Sequence, residues 1–186
     1  MFSGRALASL ETFSYHSNGM RKSDLANPQL DKHPLKIHVL ERQLWVARPN
    51  DEVFAFFCNA HNLDDLTPRW LHFEILTPAP IVMQQGTLID YQLRLYGKRI
   101  RWRTEITAWK PPIRFIDKQL EGPYPQWIHT HEFRQEGGGT LIRDEVRYAV
   151  SGGWLEPLIH RFFVAPSLKK IFDHRRQRLH AIFPDS

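Results

Sequence analysis

Between Trp70 and Val150 the chain is a succession of β-type segments broken by turn residues, and from Trp154 to Phe183 it changes to a helical period. No other feature narrows the fold as much. The β segments are Phe73–Thr77, Thr87–Tyr96, Arg99–Trp109, Arg114–Glu121, Gln126–Gln135 and Thr140–Val150, rich in branched and aromatic residues. Tyr96-Gly97-Lys98-Arg99 and Glu136-Gly137-Gly138-Gly139 carry the glycines that tight hairpins require, and Lys110-Pro111-Pro112 breaks another pair. Connections this short make neighbouring strands antiparallel. A sheet of that extent must bury one face, and the only large apolar partner is the terminal helix.

Upstream, Ile37 to Val46 alternates well enough for a first strand. Pro49-Asn50-Asp51-Glu52 starts a helix, with acids in the turn that the helix dipole favours, and a second short helix covers about Asn62 to Leu66 before Pro68 stops it. In the terminal helix Leu155, Leu158, Ile159, Phe162, Leu168, Ile171, Phe172, Leu179 and Ile182 recur near a 3.6 period. Pro157 suits its first turn, whereas Pro166 is expected to kink or split it. The expected fold is α+β: a curved antiparallel sheet wrapped around a long C-terminal helix, with two short helices after the first strand.

Alternation assigns the faces. Trp127, His129, His131 and Phe133 share one side of their strand, against Ile128, Thr130, Glu132 and Arg134. A wholly buried surface would be better served by apolar side chains, because a buried imidazole must find hydrogen-bond partners. The pattern fits a cavity wall that is mostly apolar with a few placed polar groups. On the strands around it, Ile142, Asp144, Val146, Tyr148 and Val150 face inward, as do Phe115, Asp117 and Gln119. Ile100, Trp102, Thr104 and Ile106 follow, then Ile89, Tyr91, Leu93 and Leu95. Acids on adjacent strands, about 4.8 Å away, come within reach of the two histidines.

For the cluster of Asp117, Gln119, His129, His131 and Asp144, three readings stand open. It is an internal network that ties the sheet together, a set of polar contacts to a ligand, or a metal or acid–base site. His129-x-His131 with a nearby Asp has metal-compatible ligand types, but no third histidine is evident and no metal is expected. As general acid or base the candidates are Asp117, His129, His131 and Asp144, unaccompanied by an activated nucleophile, a phosphate loop or a cofactor fingerprint. Gly137-Gly138-Gly139 leads into a strand rather than a helix, which makes it a turn. No cofactor is expected.

Composition limits the alternatives. At 186 residues with 42% hydrophobic residues, one domain with a sizeable core is expected, and disorder is excluded. No apolar run approaches the roughly 18–20 residues that cross a bilayer. The net charge of +5 is spread along the chain, so no specific nucleic-acid partner is expected. Cys58, the single cysteine, excludes an internal disulfide and reads as a buried helix residue rather than a nucleophile. Residues 1–34 show no sustained period and contain the breaks Asn27-Pro28 and His33-Pro34. They are expected to form a flexible leader to a domain spanning 35–186. The expected location is the cytoplasm, with organelle import through the serine- and arginine-bearing leader as the alternative.

From about Leu40 to Leu179 the residues resemble an SRPBCC domain of the START-like, helix-grip superfamily, in its polyketide cyclase/dehydrase and coenzyme Q-binding branch. The resemblance is carried by Pro49-x-x-x-Val53-Phe54-x-Phe56-Phe57, Asn62-Leu63 with Thr67-Pro68-x-Trp70-Leu71, Gly86-x-x-Ile89-x-Tyr91, and Arg101-Trp102-x-Thr104-x-Ile106-x-x-Trp109-x-Pro111-Pro112. It continues through Arg114-Phe115-x-Asp117-x-Gln119-x-x-Gly122-Pro123-Tyr124-x-x-Trp127-x-His129-x-His131-x-Phe133, Gly139-Thr140 and Asp144-x-Val146-x-Tyr148. The longest motif is similar to that of a ligand-binding subgroup also found attached to nucleotide-sugar epimerase-like or cell-division-inhibitor-like domains. No such domain is present here, so a partner of that kind would act in trans.

The resemblance implies a pocket for a hydrophobic ligand between sheet and helix, and no particular reaction. The expected function is binding of a lipid, quinone or polyketide-like molecule as carrier or sensor. Contacts are expected from Tyr91, Trp102, Thr104, Phe115, Asp117 and Gln119, then from Trp127, His129, His131 and Phe133, and finally from Asp144, Tyr148 and Phe162. Two alternatives remain: a cyclase/dehydrase-type enzyme using the Asp/His cluster, and attachment to a ribosome or membrane surface through the basic C-terminal helix.

Overall fold

The structure is a computed structural model and describes residues 35–184. The expectations for residues 1–34 lie outside the described residues. Ile37–Val46 forms strand β1, followed by helix α1 (Asn50–Phe57), with Asp51 and Glu52 in its first turn. Helix α2 (Asn62–Asp65) and a 3₁₀ turn at Arg69–Leu71 lead to β2 (Glu74–Ile75). The long strands follow: β3 (Leu88–Leu95), β4 (Lys98–Lys110), β5 (Arg114–Glu121), β6 (Gln126–Glu136) and β7 (Gly139–Ala149). β2 is shorter than the Phe73–Thr77 pattern suggests. The amides of Leu76 and Thr77 both bond the Asp90 carbonyl, at 2.8 and 3.1 Å, which ends the ladder.

All neighbours in the sheet are antiparallel, in the order β1-β7-β6-β5-β4-β3-β2. β2 to β7 form the meander that the short connections require. β1 joins the far edge, with Ile37 opposite Ala149. Two hairpins turn on two-residue loops, Tyr96-Gly97 and Gly137-Gly138, with positive φ at both positions (50° and 81°, 59° and 83°). That geometry matches the twist of the strands it joins. Register shifts between Arg103 and Thr104 and between Ile106 and Ala108 interrupt the β4–β5 ladder; such irregularities bend a strand and help a sheet curl.

The C-terminal helical run passes without a gap through a 3₁₀ turn (Gly153–Leu155), α3 (Glu156–Ile159), a π turn (His160–Val164) and α4 (Ala165–Ile182). Pro166 does not split it. Proline has no N–H to offer the carbonyl of Phe162, and the wide π turn just before it absorbs that loss. The wider turn also changes which side chains face the sheet. Glu156, His160, Val164, Leu168 and Phe172, four residues apart, point in or are half-buried. Leu155, Leu158 and Phe162, which a uniform 3.6 period would place inward, are exposed, Phe162 at 62%. The expected Phe162 contact is therefore corrected: its ring lies on the surface, 5.7 Å from the Arg161 guanidinium.

Two apolar clusters hold the helical run against the sheet. One joins Phe54, Phe115, Phe133, Ile142, Leu179 and Phe183; the other joins Val146, Tyr148, Val164, Leu168 and Phe172. Each large side chain so buried contributes about 1.5–3 kcal/mol. Between the clusters lies the site.

Candidate functional site

A cavity of about 190 Å³ opens between the concave face of the sheet, α4 and the α1–α2 segment. Its walls are mostly aromatic and aliphatic, and its polar groups come chiefly from the middle strands. On β6, His129 and His131 share a face two residues apart and are 5% and 4% exposed. Asp117 on β5 stands directly across from His129, and Asp144 on β7 directly across from His131. The hydrogen bonds run on the diagonals. His129 Nε2 meets Asp144 Oδ1 at 3.1 Å, and His131 Nε2 meets Asp117 Oδ2 at 3.1 Å. The direct pairs are off geometry: His129 Nδ1 is 3.7 Å from Asp117 Oδ2, and His131 Nδ1 is 2.8 Å from Asp144 Oδ1 without hydrogen-bond alignment.

The electrostatics follow from this quartet. Burial pushes the Asp144 carboxyl up, but the His129 N–H and the closeness of both histidines outweigh it and hold it well below the ordinary range. Asp117 is held down in the same way, mainly by His131 and His129. Burial pushes His131 down, yet the hydrogen bond to Asp117 and the close Asp144 carboxylate leave it above its ordinary value. His129 is pushed below its own, by burial and then by the charge of His131. His131 is thus the more basic of the two histidines. Its ring also stacks on Phe115 (4.2 Å between centroids, 23°), which fixes its plane.

Arg175 is a member of this site that sequence reasoning missed, because its charge reads as part of the basic C-terminal helix. It lines the cavity from α4, with Nη1 4.0 Å from Asp144 Oδ1 and its guanidinium 5.4 Å from the Phe172 ring. The signal lay in its position one turn after Phe172 and one before Leu179, on the buried stripe. Beyond the quartet, Thr104 accepts a hydrogen bond from Trp102 Nε1 at 3.1 Å and lies 3.3 Å from the Tyr91 hydroxyl. Burial and the charge of Asp117 push the Tyr91 phenol above its ordinary range, so it stays protonated.

The expected contact residues divide. Tyr91, Trp102, Thr104, Phe115, Asp117, Trp127, His129 and His131 line the cavity. Phe133 does not. It is packed edge-on against Phe54 and Phe57 at 5.2 and 5.0 Å, inside the first cluster. Asp144 sits behind the histidines, and Tyr148 turns to His160, with its hydroxyl 2.9 Å from Nε2. Gln119 donates to the Tyr124 carbonyl at 2.6 Å in the β5–β6 loop, a position open to it because residue 122 is glycine. Leu66, Leu71 and Ala60, near the α1–α2 segment, line the cavity too and were not anticipated. Cys58 follows α1, half-buried; burial pushes its thiol up to about 11, which makes it a poor nucleophile.

No family model matches the chain, and no curated protein is similar to it in sequence. Solved structures are similar in fold. Protein CV1439 from Chromobacterium violaceum matches with a TM-score of 0.61 at 12% identity, over 80% of this chain and 99% of that one. Ginseng major latex-like protein 151 from Panax ginseng matches with a TM-score of 0.59 at 14% identity, over 82% and 100%. Protein TTHA0849 from Thermus thermophilus matches with a TM-score of 0.58 at 18% identity, over 78% and 99%. Together with the seven-stranded sheet and its C-terminal helix, these likenesses define the chain's class as the helix-grip fold. Among the described residues no helix is long and apolar enough to cross a membrane.

Proposed function

We propose that this chain binds one small amphipathic molecule in the cavity between sheet and α4, as a carrier or sensor. The observation that carries the reading is the cavity itself: about 190 Å³ walled by Tyr91, Trp102, Phe115 and Trp127, with Asp117, His129, His131 and Arg175 as its polar groups. That volume equals the liquid share of about six waters and lies below the roughly 300–1,000 Å³ of drug-sized sites. A single aromatic or quinone-like ring with a polar oxygen fits it better than a long acyl chain. The ring would rest on the Trp102–Trp127 corner, where the two indoles meet edge-on at 5.4 Å. Its oxygen would turn to the His/Asp cluster.

One observation favours a second reading, a proton-transfer enzyme of the cyclase/dehydrase type. His131 has a carboxylate near each ring nitrogen, an arrangement that can hold and release a proton beside a bound ring.

Displacement of a fluorescent hydrophobic probe by single-ring phenols, quinones and fatty acids tests the proposal. Saturable binding, lost in Trp127→Ala at an unchanged thermal melt, is the expected result. Absence of saturable binding across the panel overturns it. Turnover of a bound ring, abolished in His131→Gln, moves the assignment to the enzyme.

A further inference from the structure

We propose that Asp117, His129 and His131 hold one divalent transition-metal ion, in a site that goes beyond ligand binding and stands without it. One donor atom from each of the three lies within 4.8 Å of the other two. Asp117 Oδ2 is 3.1 Å from His131 Nε2 and 3.7 Å from His129 Nδ1. An ion about 2.1 Å from each donor would subtend angles of about 95° and about 125° at those pairs, spanning octahedral and tetrahedral values. No third histidine is needed, because the third ligand is a carboxylate on the next strand.

The tautomers support this assignment. Asp144 Oδ1 lies against His129 Nε2 at 3.1 Å and against His131 Nδ1 at 2.8 Å, the nitrogens on the far side of each ring from Asp117. His129 Nε2 is hydrogen-bonded to Asp144, so its N–H goes there and Nδ1 offers a lone pair. His131 Nε2 is bonded to Asp117 Oδ2 at 3.1 Å, and its Nδ1, 2.8 Å from Asp144, has no aligned hydrogen bond. The Nε2 proton serves Asp117. It leaves His129 Nδ1 at 3.7 Å from Asp117, too far for a hydrogen bond, and no described residue bonds that nitrogen instead. A single ion would bond His129 Nδ1, His131 Nε2 and Asp117 Oδ2 at once, with the His131 N–H on Nδ1 facing Asp144. Asp144 becomes the outer carboxylate that orients both ligating rings, a recurring feature of metal sites.

Donor type and charge select the ion. Two nitrogens and one oxygen suit the Fe²⁺ to Zn²⁺ series rather than Ca²⁺ or Mg²⁺, which take oxygen ligands. Asp117, Asp144 and Arg175 leave one net negative charge, which a divalent ion turns into one net positive. An anionic oxygen from water, or from the cavity's occupant, can neutralise that. Since all three ligands line the cavity, the ion's open positions face it.

The test uses the full chain stripped with a chelator and titrated with Co²⁺, then with competing Zn²⁺. One equivalent should bind with visible ligand-field bands that Zn²⁺ abolishes, and Asp117→Asn and His131→Gln should each weaken binding at least tenfold. Bands that survive in those variants, or wild-type protein that takes up no stoichiometric ion, overturn the assignment. Should the variants not fold, pulsed electron paramagnetic resonance of Cu²⁺-loaded wild type decides. Two coupled imidazoles are expected, and none or one overturns the site. These readouts involve no organic ligand, so their failure is separate from failure of the probe-displacement experiment.

Discussion

Asp144 on β7 reaches diagonally to His129 on β6, Oδ1 to Nε2 at 3.1 Å, with both residues less than one-tenth exposed. The pair joins the central strands from inside the sheet, where water cannot replace a lost partner. Asp144→Ala strands two buried imidazoles and Arg175 at once. Removing one member of a buried ion pair costs about 3–5 kcal/mol, and a urea melt of the variant should show a loss of that size. A loss below about 1 kcal/mol would mean that the cluster contributes little to the fold.

Ala60 is buried beside the cavity. Ala60→Phe should place a ring in the space proposed for ligand, weakening probe binding at least tenfold. Because the side chain enters existing space, the thermal midpoint should hold or rise, unlike the roughly 1–3 kcal/mol loss of an overpacked core. Unchanged probe affinity would place the ligand elsewhere.

Acid should weaken the junction between β1 and the helical run. Glu156 accepts a hydrogen bond from His38 at 2.5 Å and lies 3.7 Å from Lys36. Burial pushes its carboxyl up, but His38 and Lys36 outweigh it and hold it below its ordinary 4.5. His160, stacked 3.6 Å from His38, is pushed below its ordinary 6.5, by burial and then by the charge of His38. Both groups bind protons more weakly folded than unfolded, so unfolding takes up protons and stability falls as pH falls. The loss should begin as pH drops below 6.5 and deepen below 4.5. Denaturant melts of wild type and His160→Asn from about pH 8 to about pH 4 check this, with the upper part of the loss smaller in the variant and the remainder due to His129, whose affinity for protons is also lowered.

The π turn at His160–Val164 should be the soft point of the helical run. Its amides are expected to exchange with solvent faster than those of Leu168–Leu179. Pro166→Ala restores a donor for the Phe162 carbonyl and should slow that exchange, with a gain of about 1–2 kcal/mol. Equal protection along the whole run in wild type would refute the weak turn.

Much of this architecture is legible residue by residue. β1 and β5 fall where alternation places them, and Gly97, Gly137 and Gly138 mark their hairpins because both loops need positive φ. The inward face of β6 is legible for the same local reason: a strand repeats every two residues, so His129 and His131 must share a side. Phe162 fails because the 3.6 period does not hold through a π turn, a change set by Pro166 and by packing. Arg175 was missed because charge alone does not tell a solvated arginine from one paired to a buried acid on a distant strand.

The sequence by itself determined the α+β order, the antiparallel meander, the turns and the set of side chains on the concave face, since each depends on residues a few positions apart. Only the tertiary structure decided that β1 lies against β7, that the histidines bond the diagonal rather than the facing acids, and that the cavity stays open beside Trp102. Those outcomes depend on twist, register shifts and the rotation of α4, which sum contributions from strands far apart in the chain, as Ile37 and Ala149 are. Local pattern carries no record of such sums.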